Sequence, residues 1–227
     1  MKRRFTAERP IRLSDTDASG RLRLDAVARY LQDVAGDDVA AAGFRPEEHV
    51  WVVRRTELEV VAQFAGDERV ALETWCSGVA GTSASRRTTL RGDRGGLIEA
   101  ESVWIHLDHG LAPKRLDERF LAVYGEAAEG RRPSTRFTLS GPAVPDGEPW
   151  PLRRTDEDRL GHVNNAAFWA PLEESWAARL AAGRLRVALE YRKPIDVGER
   201  VLLARDGDAA WLLVGDEVRA AAILEVA

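Results

Sequence analysis

The residues from Asp158 to Asn165 combine the side-chain types that acid–base chemistry requires. His162 follows Asp158 by four positions and is separated by one valine from Asn164 and Asn165. An imidazole exchanges protons near neutral pH, a carboxylate can hold it in one tautomer, and a carboxamide can donate a hydrogen bond. The pattern therefore predicts an active site, with the alternative that both asparagines only cap a helix.

Two neighbouring acids follow in the helix that is predicted after His162. We expect Glu174 to reach across the site and act as a general base for water, a role that depends first on proximity. The alternative is that Glu174 points to solvent and that Glu173 is the inward-facing acid.

Hydrophobic periodicity predicts the elements that position these residues. Apolar residues recur at helical spacing from Leu24 to Ala42, so we expect a helix that stops before Gly43. A second helix should open at the His162 segment and run to about Ala182, with Pro171 removing one backbone hydrogen bond and kinking it. Segments typical of strands follow each helix, over 51–61, 68–78, 83–92 and 97–107, and over 185–195, 199–207, 209–215 and 216–227.

This order of helix and strands is an internal repeat. At an offset of 141 residues the matched pairs are Asp15 and Asp156, Asp17 and Asp158, Gly20 and Gly161, Leu31 and Leu172, and Asp33 and Glu174. Where the second copy has His162 the first has Arg21, and a guanidinium cannot serve as a base. The repeat therefore predicts one active site, in the second copy.

The repeat also predicts the fold class and the domain organisation. We expect an α+β protein with an N-terminal domain over 1–130, a linker rich in proline and glycine over 131–148, and a C-terminal domain over 149–227 that carries the active site. Each half should wrap an antiparallel sheet around its own helix, and the halves should pair edge to edge. An elongated apolar pocket is then expected between them.

Composition excludes several classes of function. The net charge of −4 gives no electrostatic reason for nucleic-acid binding. The chain of 227 residues has neither an apolar run of the roughly 18 residues that a membrane span requires nor a secretory signal, so we expect a cytoplasmic globular protein. The single Cys76 excludes an internal disulfide and is expected to be buried, and His49, His106 and His109 are expected to be structural.

The order and spacing of these segments resemble those of the acyl-acyl carrier protein thioesterases of plants and bacteria, a family with a double hotdog fold. The resemblance extends from RYLQDVA in the first helix through WVVRRTELEV, ETWCSG, SVWIHLD and AVYG to HVNN. It implies hydrolysis of fatty acyl thioesters of acyl carrier protein or coenzyme A, without a metal or an organic cofactor. It assigns catalysis to Asp158, His162 and Glu174, and oxyanion or substrate binding to Asn164 and Asn165.

One position departs from the family pattern. The family carries an asparagine between the aspartate and the histidine, and here that position is Leu160, which cannot donate a hydrogen bond. Either Asn164 or a backbone amide replaces it, or the enzyme is slow, or hydrolysis is lost. The alternatives are therefore an acyl- or carrier-binding protein without catalysis, and a hydratase or dehydratase that acts on acyl thioesters.

Two arginine-rich segments, 85–94 and 129–136, are candidates for docking an acidic carrier protein. On this hypothesis, reversing the charge of Arg86 and Arg87 raises KM for a protein-bound substrate and leaves a small thioester unaffected. Two chains could also associate through their remaining sheet edges as a homodimer.

Overall fold

The computed structural model describes residues 2–45, 49–143, 146–159, 161–181 and 183–226. The predictions that concern Leu160 and the helix end at Ala182 fall outside the described residues. The strands are β1 (Phe5–Pro10), β2 (Val50–Ala62), β3 (Arg69–Ala80), β4 (Ser83–Gly92), β5 (Leu97–Leu107), β6 (Glu148–Trp150), β7 (Leu185–Tyr191), β8 (Val201–Asp206), β9 (Ala209–Val214) and β10 (Glu217–Val226). The α-helices are α1 (Leu24–Ala41), α2 (Glu118–Ala128) and α3 (Ala170–Leu180).

One antiparallel sheet contains all ten of these strands. Its order is β1-β3-β4-β5-β2-β7-β10-β9-β8-β6, so the second half repeats the strand order of the first from the opposite edge. The halves join where β2 pairs with β7, with Leu58 opposite Val187. The eight predicted strands are confirmed. The edge strands β1 and β6 were missed, because β6 has three residues including a proline and pairs on one side only.

The first helix follows its predicted apolar stripe. The residues of α1 that are buried against the sheet include Leu24, Val27, Leu31 and Val34. The helix stops before Gly43, which has a φ of +78° that an L-residue with a side chain rarely adopts. Periodicity therefore predicted both the buried face and the end of α1.

The second helix differs from its prediction in form. Residues Asn165–Trp169 form a 3₁₀ helix and the α-helix begins only at Ala170. Pro171 therefore lies in the first turn of α3, where its missing N–H needs no acceptor, so the predicted kink at Pro171 is wrong. The non-helical backbone lies at Trp176, with φ −118° and ψ 16°.

The segment between the two halves packs against the sheet. Glu190, which is buried in β7, accepts hydrogen bonds from the backbone N–H groups of Thr138 and Leu139. The Trp211 indole donates to the carbonyl of Ser140 at 2.7 Å. Residues 138–140 are thus held by specific bonds to the second half, whereas Arg131 binds the backbone of β3 in the first half.

Cys76 is buried as predicted, and burial raises the pKa of its thiol. His106 is fully buried as well, and its Nε2 lies 3.0 Å from Nδ1 of His49. Within the described residues, the helices are too short or too polar to span a membrane.

Arg86 and Arg87 point to opposite faces of β4. The Arg86 guanidinium donates at 2.7 Å to Asp38 of α1, whose carboxylate is 1% exposed and also binds Arg3. Arg87 is exposed and pairs loosely with Glu101 at 3.3 Å. The docking hypothesis is therefore wrong for Arg86, because strand alternation turns this side chain into the interior.

This arrangement predicts different stability effects at the two positions. Arg86→Ala should lower the free energy of unfolding by about 2–3 kcal/mol, since Asp38 then keeps Arg3 as its one cationic partner. Arg87→Ala, the matched control on the same strand, should cost less than about 1 kcal/mol. Urea unfolding of both variants measures the difference, and equal losses would contradict the assignment of faces.

Candidate active site

The His162 turn is held by its own backbone. The N–H of Asp158 donates to the carbonyl of His162 at 2.9 Å, and the N–H of Gly161 donates to the carbonyl of Asp158 at 3.0 Å. Gly161 has a φ of +81°, which only glycine adopts without strain. The aspartate and the histidine of the motif therefore lie at the two ends of one tight turn.

The corresponding turn of the first copy has the same hydrogen bonds. The N–H of Asp17 donates to the carbonyl of Arg21 at 2.9 Å, and the N–H of Gly20 donates to Asp17 at 3.0 Å. Gly20 has a φ of +86°. The repeat found in the sequence is thus a repeat in structure, and Arg21 occupies the place of His162.

Asp156 has a structural function in this turn. Its side chain is buried and accepts a hydrogen bond from the backbone N–H of Arg153 at 2.8 Å. The Arg153 guanidinium binds the same carboxylate at 2.7 Å. Asp156 therefore caps the 3₁₀ turn at Arg154–Asp156 that precedes the motif.

The imidazole of His162 is paired with a carboxylate that sequence reasoning missed. Its Nδ1 lies 2.7 Å from Oδ1 of Asp196, in the loop between β7 and β8. An ionised carboxylate only accepts hydrogen bonds, so Nδ1 carries a proton, and in the neutral imidazole the lone pair is then on Nε2. The two side chains are 45% and 63% exposed, so water has access to the pair.

Asp158 was predicted to hold the imidazole, but the bond to Nδ1 comes from Asp196. No linear pattern identifies Asp196, because it lies in a loop of the form KPIDVGER that reads as an ordinary turn. The loop is fixed beside the site by the hydrogen bond from the N–H of Val163 to the carbonyl of Ile195, at 2.8 Å.

The two asparagines lie at the start of the 3₁₀ helix. The side-chain oxygen of Asn164 accepts from the N–H of Ala166 at 2.8 Å, so Asn164 is a capping residue. Asn165 is the first helical residue, and its N–H has no intrahelical acceptor and no other acceptor among the described residues. This backbone N–H and the side-chain amide nitrogen Nδ2 of Asn164 are the donors available to an anion at the helix start.

A buried hydrogen-bond chain supports this helix start from beneath. The Trp169 indole donates to the Tyr191 hydroxyl at 2.7 Å, and that hydroxyl donates to the carbonyl of Asn165 at 3.3 Å. Burial raises the pKa of Tyr191, so the hydroxyl keeps the proton that it donates.

In the first copy the same position holds an internal carboxylate. The Arg21 guanidinium donates to Glu173 of α3 at 2.6 Å, and the backbone N–H of Leu24 donates to the same carboxylate. The side chains of Arg21 and Glu173 are 9% and 11% exposed. Burial alone would lower the pKa of Arg21, but its bonds to Glu173 and Asp17 raise it above the ordinary value.

This contact reverses the expected orientation of the two glutamates. Glu173 faces inward and binds the first copy, whereas the Glu174 side chain is exposed on α3. The geometry therefore does not bring Glu174 together with His162. The ungapped repeat predicted Glu174 as the inward-facing acid, whereas Glu173 has this orientation. The repeat matches residues by their type and position in the chain, which do not determine their contacts.

Within the residues that the structure describes, no three His, Cys, Asp or Glu side chains are grouped so that they could hold a metal ion. A groove of about 650 Å³ lies on the sheet and is lined by residues of β2, β4, β5, β7 and β10 and by residues 138–139. The His162 turn is not part of its lining.

The chain matches known protein families over most of its length. The chain matches the model of the acyl-ACP thioesterase N-terminal domain over residues 2–122 and that of the acyl-ACP thioesterase C-terminal domain over residues 143–211, where ACP is acyl carrier protein. The chain belongs to the acyl-ACP thioesterase family and is a thioester hydrolase. The resemblance noted in the sequence is confirmed.

Individual proteins support this membership. The chain is 36% identical over 218 residues to the uncharacterized protein Rv2001 of Mycobacterium tuberculosis. The aligned region covers 93% of this chain and 87% of that protein. An acyl-ACP thioesterase from Bacteroides thetaiotaomicron superposes with a TM-score of 0.80 at 17% identity, covering 98% of both chains. The 12:0-ACP thioesterase from Umbellularia californica gives 0.78 at 17% identity, with 98% of this chain and 96% of that chain covered. These structures share its mixed α/β fold with a large antiparallel sheet.

The contact between the copies predicts unequal effects of two neighbouring substitutions. Glu173→Ala should lower the free energy of unfolding by about 2–4 kcal/mol, because Arg21 stays buried with Asp17 as its remaining partner. Glu174→Ala should change it by less than about 0.5 kcal/mol. Guanidinium unfolding measures both values, and a larger loss at Glu174 would contradict the orientation of α3.

Proposed function

We propose that this chain hydrolyses fatty acyl thioesters at the His162 turn and releases a free fatty acid and a thiol. The observation that carries the proposal is the pairing of His162 with Asp196 close in the chain to the N–H of Asn165, which has no acceptor among the described residues. A base for water and a donor for the oxyanion then lie at one helix start, and hydrolysis of an acyl group requires both.

The reaction follows from the proton positions. Nε2 of His162 takes a proton from a water molecule, whose oxygen attacks the carbonyl carbon of the thioester. The carbonyl oxygen becomes negative and is stabilised by the backbone N–H of Asn165 and the side-chain nitrogen Nδ2 of Asn164. Collapse of the tetrahedral intermediate breaks the carbon–sulfur bond, and the thiolate receives the proton from the imidazolium. Asp196 stabilises the positive imidazole between these steps.

This assignment gives the base to His162 rather than to Glu174. Glu174 is exposed on α3, and a general base must first be within hydrogen-bond reach of its proton. A backbone amide takes the place of the family asparagine that Leu160 replaces. Asp158 supports the position of His162 through the turn, because its backbone N–H donates to the carbonyl of His162.

We also propose that the two halves are tandem hotdog units, which makes the fold a double hotdog. The identical strand order of the two halves supports this, as does the α-helical element that begins after each motif turn. The corresponding domains are 1–130 and 149–227, joined by the linker 131–148.

Acyl carrier protein is the carrier that we favour, with coenzyme A as the alternative. The exposed cations Arg87 and Arg131 lie around one shallow depression with Lys2 and Arg4. One carboxylate, Glu129, lines it as well and binds Lys2 and Arg131, so cations are in excess among its lining residues. An acidic carrier protein is attracted to such a surface. The ends of the sheet, β1 and β6, remain available for a homodimer.

Release of free thiol from a panel of acyl-ACP and acyl-CoA thioesters tests the proposed function. His162→Ala should lower kcat by about 10³-fold, because the base is lost while the fold is retained. Circular dichroism checks the fold of the variant. Acyl binding without thiol release by the wild type would favour a binding protein, and hydration of an enoyl thioester would favour a hydratase.

The two candidate partners of His162 can be distinguished kinetically. Asp196→Asn should lower kcat by about 10- to 100-fold, since an amide can present its N–H₂ to Nδ1 and hold the wrong tautomer. Asp158→Asn should have a smaller effect, because its backbone bonds in the turn remain. Steady-state kinetics on one acyl thioester compare them, and the reverse order would return the orienting role to Asp158.

A further inference from the structure

Gln32 is a polar residue near the middle of α1. It belongs to the segment RYLQDVA that carries the family resemblance. Its side chain is half-buried, and its amide has no hydrogen-bond partner within the described ranges. A half-buried carboxamide without a partner is available to a ligand.

The internal symmetry places Gln32 opposite His162. The offset of 141 residues that relates Arg21 to His162 also relates Gln32 to Glu173. Burial follows this offset around both positions, because Leu31 and Leu172 are both buried. Since Glu173 reaches across to Arg21 and the N–H of Leu24, the same operation brings Gln32 toward His162 and the N–H of Asn165.

Contacts on different sides of α1 also indicate the direction in which Gln32 faces. Asp25 lies two turns before Gln32 on the same helix face. Its charge acts on Arg153 of the second copy, whose pKa is raised first by Asp156 and also by Asp25. Tyr30 and Asp33, which lie about 160° and about 100° around α1 from Gln32, both contact Arg9 of the edge strand β1. Gln32 therefore faces the second copy rather than the sheet edge.

We propose that Gln32 is a water-positioning residue of the His162 site, supplied by the first copy. This inference rests on the proposed function. The Gln32 carboxamide oxygen accepts one hydrogen bond from the attacking water while Nε2 of His162 accepts the other. The water then has a lone pair directed at the thioester carbon.

The difference between Gln32 and Glu173 explains why one site stays open. In the first copy the carboxylate of Glu173 binds both the cation at position 21 and the N–H of Leu24, so the anion position is filled. A neutral carboxamide has no such charge attraction to an imidazolium. The N–H of Asn165 is thereby left for the substrate oxyanion.

A stability measurement tests the placement without any substrate. Gln32→Glu combined with His162→Arg should recreate the ion pair of the first copy. The Tm of the double variant should exceed the sum of the two single changes by about 2–4 °C. Gln63→Glu with His162→Arg is the matched control, because Gln63 binds the carbonyl of Leu180 at the other end of α3, and it should be additive. Additive behaviour of the Gln32 pair overturns the placement.

Kinetics test the role. Gln32→Ala should lower kcat by about 10-fold or more with KM changed less than twofold, since the lost bond is to the water and not to the acyl thioester. Gln63→Ala should leave both constants unchanged. An unchanged kcat in Gln32→Ala overturns the water-positioning role even if the placement holds. An inactive wild type refutes the proposed function and this role together, whereas the Tm result still decides the placement.

Discussion

The arrangement of this protein depends on the pairing of β2 with β7. These are equivalent strands of the two copies, and antiparallel pairing of equivalent strands relates the copies by an approximate twofold axis. Glu57 lies opposite Ala188, its own counterpart at the offset of 131 residues that relates these two strands. In addition, α1 lies against the 3₁₀ helix of the second copy, and the first motif turn contacts α3 of the second copy through Arg21 and Glu173.

Symmetry at this junction has produced two different sites. One contains Arg21, Glu173 and the N–H of Leu24 in a closed, largely buried cluster. The other contains His162, Asp196 and the N–H of Asn165, and it is accessible to water. The first cluster shows that this type of helix start binds an oxyanion, because a carboxylate oxygen already lies there. The two copies therefore differ here in burial and in whether a carboxylate already occupies the helix start.

Much of the fold could be predicted because it depends on local patterns. Leu24, Val27 and Leu31 of α1 and the alternating residues of the long strands must face a core, and each pattern has a fixed period. The predictions that were wrong are those in which contacts with distant residues override a local sequence rule. A proline within a helical pattern predicts a kink, but the α-helix begins one residue before Pro171. An arginine-rich segment predicts surface cations, but Arg86 binds the buried Asp38.

The sequence by itself determined α1, the eight strands that follow the two helices, the duplication, the family and the motif that contains His162, since these are read from local patterns and from their order along the chain. Only the tertiary structure decided which side chains complete the site. Asp196 meets His162 through the loop between β7 and β8, and Glu173 rather than Glu174 reaches the first copy. Such partners are distant along the chain, and their distances depend on how two halves of the sheet pair, which no local periodicity encodes.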